Sequence, residues 1–469
     1  MAQQNNIEKN SSVKINKTII LWTINIASFL LAFAGNSVVV AYKGIGTDLH
    51  ISADTLGWIT TINALAAAMF QIPFGKIADI YGRKKIFLYG IIISMVSSLF
   101  LGFSNSELML LILRFIQGFG SALIFATGIA ILASIYPPKE KGRILGLNIA
   151  CVYTGLTLGP SVGGFLITIF TWRSLFFMIT PIAFIVLILT LWKIKGEWVN
   201  EQKEKFDYAG STVYALSLLS LMFGFSLLPN PESFIFIALS VVGVLFFIFW
   251  ENKSKNPVLD LKLFKNNRFF AFSSIVSLFY YASTSSISLI LSLYFEYIKG
   301  YSAEIVGLIL LIQPLMQAVF SPIAGKFSDR IDSRILVTSG VGISLISFTI
   351  LLFISNAFPI YFIFISLFVT GFGFALFSSP NTNAIMSAVP KGSYGVGSAI
   401  NGTMRTVGGT FSFGIVTIFM AIIIGNVQIT PVYYPSLLVS LRTALIISLI
   451  LAIIALIISL SRGKKENIV

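Results

Sequence analysis

Two arginines sit where charge is costly. Arg114 lies roughly two turns inside the apolar run 108–136, and Arg405 about ten residues into the run 394–425. At 1.5 Å per residue, Arg405 is ~15 Å deep, near the middle of a bilayer. A guanidinium there needs a wet cavity, a partner or helix carbonyls, and it marks a functional position by default. Each arginine is therefore either a coupling or substrate contact, or a structural group satisfied by carbonyls and neighbours such as Gln117. The acids are distributed differently. All 18 Asp and Glu fall in connections or within about a turn of the end of a run, with Glu251 and Glu296 nearest to being embedded. Burial moves an intramembrane acid into the working range for proton coupling, and no acid stands at mid-depth here. Glu296 and Asp79 are the carriers left for that role. A cavity with arginines and no acid is electropositive, which favours an anionic or neutral ligand over a cation.

The elements that must hold these groups follow from composition. The 469 residues are 56% apolar and only 11% charged, with mean hydropathy +0.90. A soluble fold could not hide that much apolar surface, so lipid is the solvent for most of the chain. One cysteine, Cys151, and one histidine, His50, leave no disulfide framework and no Cys/His metal cluster. No G-x-x-x-x-G-K-[ST] loop occurs, which excludes an ATP-driven motor on this chain. No cofactor and no metal is expected.

Fourteen uncharged runs can cross a membrane, near residues 18–42, 55–75, 86–104, 108–136, 144–170, 174–192, 209–229, 233–250, 269–295, 305–325, 335–355, 358–389, 394–425 and 437–461. A span needs ~20 apolar residues, and a helix is the open-chain element that satisfies its own backbone in hydrocarbon. The first run is too long for a cleaved signal peptide and is expected to remain as an anchor. Charge sets the topology. With the N-terminus inside, 26 of the 32 Lys and Arg fall on the inner side, four on the outer side and two within spans. That bias predicts an even number of spans, both termini cytoplasmic and a multi-pass protein of the cell membrane. The same bias explains the basic net charge without nucleic acid.

The chain also repeats itself. Gly75-Lys76-x-x-Asp79 returns 250 residues later as Gly325-Lys326-x-x-Asp329. Gly118-Phe119-Gly120 returns at an offset of 253 as Gly371-Phe372-Gly373, and Gly142, Asn148 and Gly155 return as Gly395, Asn401 and Gly408. Three matches in order and in register pair spans 1–6 with spans 9–14 and leave spans 7 and 8 as an insertion. The expected organisation is a cytoplasmic segment 1–17, a six-helix bundle 18–192, a connector with the inserted pair 193–268, a second six-helix bundle 269–461 and a tail 462–469. Two like-oriented halves around a central site suit a secondary transporter that rocks one half against the other.

Gly75-Lys76-Ile77-Ala78-Asp79-Ile80-Tyr81-Gly82-Arg83-Lys84-Lys85, with its echo Gly325–Arg334, resembles the signature loop of the major facilitator superfamily. There it locks and releases the two halves, which implies gating roles for Gly75, Asp79, Gly82, Arg83, Lys84, Gly325, Asp329 and Arg330. Leu113-Arg114-Phe115-Ile116-Gln117-Gly118-x-Gly120 resembles the second motif of that superfamily's drug:proton antiporters. Gly155-x-x-x-Gly159-Pro160-x-x-Gly163-Gly164 resembles the third, the antiporter motif; its small residues let helices approach and Pro160 permits a bend. The fourteen spans and the connector Asn256-Pro257-Val258-Leu259-Asp260-Leu261 resemble the fourteen-span drug:proton antiporter branch. One departure matters: that branch usually carries an Asp in span 1, where this chain aligns Ala34, with Asn36 close by.

The resemblance implies an all-α membrane fold of two six-helix bundles plus two inserted helices, with spans 1, 4, 9 and 12 lining a cavity. The cavity candidates are then Asn36, Gln117, Tyr280, Tyr281, Ser285, Asn381 and Asn383, together with Gln313 and Gln317 one turn apart in span 10. The implied function is export of a small organic molecule by alternating access, in the manner of multidrug efflux, with protons as the coupling ion. A specific metabolite or organic-anion carrier with weak or no proton coupling is the alternative, and a non-transporting membrane sensor a second. The partners are the bilayer and the small-molecule substrate; no protein partner is inferred, and an enzyme is not expected.

Overall fold

Polar side chains at the ends of apolar stretches decide where the helices begin. Asn16 accepts the Ile19 amide, Ser106 that of Met109, Asp207 that of Gly210 and Asn267 that of Phe270, each satisfying an amide the first turn would leave unpaired. The computed structural model describes residues 16–50, 53–199, 205–228, 230–425 and 430–463. Within them the chain is helical and contains no strand.

Thirteen helices are long and apolar enough to cross a membrane: α1 (Lys17–Ala41), α3 (Arg83–Gly102), α4 (Glu107–Ile135), α5 (Pro138–Ile169), α6 (Arg173–Lys193), α7 (Tyr208–Phe225), α8 (Glu232–Lys253), α9 (Arg268–Ile298), α10 (Ile305–Ser328), α11 (Ser333–Leu351), α12 (Ile360–Ser387), α13 (Lys391–Ile423) and α14 (Pro431–Leu460). With α2 (Ala53–Tyr81), 29 residues long, they make fourteen. The protein is thus a multi-pass all-α membrane protein. Its surface bears this out: α8 leaves Phe234, Ile235, Val242 and Leu245 more than 60% exposed, as a lipid-facing helix requires.

Small residues set the helix crossings, and they do so in pairs related by the repeat. A Cβ on Gly155 of α5 would lie 2.5 Å from the Phe29 carbonyl of α1, and one on Gly408 of α13 would lie 2.6 Å from the Leu278 carbonyl of α9. Gly118 of α4 meets the Asn63 carbonyl of α2 as Gly371 of α12 meets that of Gln313 in α10. Helices α1–α6 and α9–α14 therefore form two bundles built on one plan. Between them, α2 packs on α13 and α5 on α10.

The inserted helix α7 lies along the α2–α13 seam. The Tyr214 hydroxyl donates to the Ala68 carbonyl of α2 and pairs with Thr403 of α13, both at 3.2 Å. Further along, Phe223 packs on Trp58 of α2, and Phe225 on Phe411 of α13.

Candidate functional site

The two bundles are tied together at the end that carries the Lys76–Lys85 connection, the basic end. Asp79, near the end of α2, accepts the Gly395 amide at 2.8 Å and the Val396 amide at 3.0 Å. Asp329, just past α10, accepts the amides of Gly142 at 2.6 Å and Arg143 at 2.9 Å. Each carboxylate thus reaches from one half to amides near the start of a helix of the other half. Helix starts carry unpaired N–H groups and partial positive charge, so a carboxylate is the side chain suited to hold them.

Glycine makes that reach possible. A Cβ on Gly75 would stand 2.7 Å from both the Ala399 Cβ and the Gly395 carbonyl oxygen; one on Gly325 would stand 2.2 Å from the Gly142 oxygen. The two crossings, α2 on α13 and α10 on α5, are the same contact repeated. Lys141 and Tyr394, also 253 residues apart, meet between them, Nζ to hydroxyl at 2.5 Å. Asn383 adds a bond from α12 to the Ser328 hydroxyl at 3.0 Å.

The two clamps are not identical. Arg83 is buried, pairs with Asp79 at 2.7 Å, and donates to Ser134 and to the Lys391 carbonyl, both at 2.6 Å. Arg330, the gating candidate in the second loop, is exposed, and position 333, where the repeat places the counterpart of Arg83, holds Ser. Gly82 has φ of 120°, open to glycine and strained for other residues, and this lets the chain turn into α3. Glu197 then caps α3 by accepting the Lys84 amide at 2.8 Å, a contact with no signal in the sequence pattern.

The opposite end is different. Its ion pair, Asp48 with Arg173, joins two segments of the same half, and hydrogen bonds from Arg173 and Trp172 hold Asp48 below its ordinary pKa. Along α13, Tyr394 to Ile400 are buried without a break, whereas none of the four residues Met404 to Val407 is fully buried. Four consecutive residues sample every face of a helix. α13 is therefore fully covered at the basic end and less completely covered above it.

At mid-depth, side chains from both halves converge. The Arg405 guanidinium lies over the Phe125 ring of α4 at 4.9 Å. Tyr153 of α5 meets Phe374 of α12 edge-on at 5.3 Å, and the Tyr281 hydroxyl of α9 is 3.4 Å from that of Ser378. Arg114 is placed differently. It is wholly buried inside the first half, donating to the Ile59 carbonyl at 3.0 Å and to Gln117 at 2.6 Å, and Gln117 in turn bonds Ser98 at 2.8 Å. Arg114 and Gln117 thus stand apart from the seam.

The remaining candidates are spread out. Tyr280 is buried in the second half, bonded to Ser344 at 2.6 Å. Asn381 bonds Ser277 at 2.8 Å and accepts from Arg462 at 3.0 Å; Arg462, fully buried, is a residue the sequence placed in a tail. Asn36 donates to the Leu156 carbonyl at 2.7 Å, tying α1 to α5. Ser285 bonds its own helix, Gln313 is half-buried and Gln317 buried in α10. Glu296 is exposed and paired with Ser292. In the α5 string, Gly155, Gly159 and Gly163 pack against α1, Pro160 is half-buried within the helix, and Gly164 faces open space. Among the described residues no cluster of His, Cys, Asp or Glu could hold a metal.

This architecture has relatives. The family model of the Major Facilitator Superfamily matches residues 24–413. The chain belongs to that superfamily. Within it, the riboflavin transporter RibZ of Clostridioides difficile is 28% identical over 405 residues, covering 86% of this chain and 88% of that one. The multidrug export protein EmrB of Escherichia coli is 28% identical over 413 residues, 84% of this chain and 78% of its own. The crystal structure of the human organic anion transporter MFSD10 shares the superfamily fold, with TM-score 0.65 at 12% identity over 95% of this chain and 99% of that one.

Proposed function

We propose that this superfamily member exports small organic molecules across the cytoplasmic membrane by alternating access, with the basic end cytoplasmic. The observation that carries this is the pair of clamps from Asp79 and Asp329, each reaching across the halves to the start of a helix. Such contacts close one end and can be broken and remade as the halves rock. With that orientation, the clamped end is the cytoplasmic gate in its shut position. The names of the relatives, multidrug export among them, support a small organic cargo.

A second reading, a carrier for a specific metabolite without proton coupling, is favoured by one observation: Ala34 occupies the span 1 position where the branch usually carries an acid. The test of both is purified protein in liposomes with an inside-acid gradient, following internal pH while cationic dyes, neutral drugs and organic acids are added. Collapse of the gradient that depends on a compound supports coupled export. Movement of a compound with no proton flux supports the second reading. Movement of no compound refutes transport.

A further inference from the structure

Of the two embedded arginines, Arg114 is enclosed within the first half and Arg405 lies on the seam. Arg114 has a carbonyl and an amide oxygen as acceptors, with its buried Nη2 left unpaired. Arg405 has, among the described residues, no carboxylate within ion-pair range and no hydrogen-bond acceptor; the face of Phe125 lies against it, with Tyr153 nearby. It is partly exposed, on the stretch of α13 that is less completely covered. Ten residues separate it from Gly395 at the closed gate, so it stands ~15 Å above that gate. Tyr153, eleven residues beyond Gly142, stands at the same depth on the helix related to α13 by the repeat.

An unneutralised guanidinium in a low-dielectric seam attracts an anion and repels a cation. Phe125 lies against it and Tyr153 is close enough to feel its charge, both from the first half, and Tyr153 packs in turn on Phe374, which meets Tyr281, both from the second. Tyr153, Tyr281 and Phe374 are packed on one another and buried here, and when the halves part their rings and hydroxyls can offer stacking and donors to a flat cargo. Resting on the transporter reading above, we propose that Arg405 selects the charge of the substrate and that the cargo is an aromatic organic anion. Phe125 occupies the guanidinium face in this state, and the substrate's carboxylate takes the edge donors that have no acceptor here. Because the contacts come from both halves, the anion is bound where rocking exchanges its exposure from one side to the other.

The probes are pyrenebutyrate, a fluorescent aromatic carboxylate, its neutral methyl ester, and ethidium, an aromatic cation, each followed in proteoliposomes and by equilibrium binding. Wild type is expected to bind and move the carboxylate in preference to the ester and ethidium. Arg405→Gln should weaken carboxylate binding about tenfold or more and leave the ester within about twofold. Arg405→Lys, which keeps the charge, should restore most of the preference. Melting temperature reports whether each variant folds; should Arg405→Gln fail, the ratio of carboxylate to ethidium in wild type and Arg405→Lys decides. Preference for ethidium, or an unchanged ratio in a folded Arg405→Gln, overturns the inference and leaves the transporter standing. Movement of none of the three, with other compounds moving in the wider panel, overturns it too; movement of nothing in either panel sinks both.

Discussion

Asp79 and Gly395 belong to opposite halves of the chain, and the Asp79 carboxylate holds the Gly395 amide at 2.8 Å. Asp329 and Gly142 repeat the contact at 2.6 Å with the halves exchanged. The sealed end is thus closed by two carboxylates on helix-start amides, and the basic residues Arg83 and Lys141 add bonds across it to the Lys391 carbonyl and the Tyr394 hydroxyl.

Removing either charge should loosen that end. In Asp79→Asn or Asp329→Asn a carboxylate becomes a neutral acceptor, losing about 1–2 kcal/mol of charge-assisted bonding. Alkylation of a cysteine at the buried position Ser398, with Cys151 replaced, should accelerate roughly 5- to 30-fold in each variant and further in the double variant. An unchanged rate would remove the carboxylates from the gate.

Close approach is the second requirement. The Cβ of Gly325→Ala would meet the Gly142 carbonyl, which is backbone and cannot turn aside. This variant should fold, since alanine favours a helix, yet lose most transport because the halves cannot close. Gly164→Ala, which meets nothing within 4 Å, should transport like wild type. Equal activity of the two would show that closure tolerates a wider crossing.

The gate was legible because it is written twice. Asp79 and Asp329, Gly142 and Gly395 stand out from a single sequence by their common offset. What could not be read was which partner each residue takes. Arg83 and Arg330 look alike in the loops, yet one is buried in the clamp and the other faces solvent. Arg114 and Arg405 both look like embedded charges, and only the path of α2 past Ile59 shows that the first is bonded inside its own half. Glu197 and Arg462 carry no periodic or motif signal, because their roles come from where a connector and a helix end happen to return.

Arg114 should prove structural. Arg114→Leu strips Gln117 of its donor and takes the side-chain bond from the Ile59 carbonyl, at a cost of about 1–3 kcal/mol. A marked fall in melting temperature, with the rank order of substrates kept in the folded fraction, is the expected result. A changed rank order at unchanged melting temperature would move Arg114 into the substrate path.

Glu296 is exposed and bonded to Ser292 within its own helix. Glu296→Gln should therefore keep substrate-driven proton movement within about twofold of wild type. Its loss in that variant would make Glu296 the proton carrier despite its position at a helix end.

The central claim is that the basic end opens and closes between the halves. Spin labels at Tyr81→Cys and Lys391→Cys, on opposite sides of the Asp79 clamp, measure that gap directly once Cys151 is replaced. A short distance in the resting protein is predicted, joined by a longer population when substrate is added or when Asp79 and Asp329 are both changed to Asn. One unchanged distance under all three conditions would contradict alternating access through this gate.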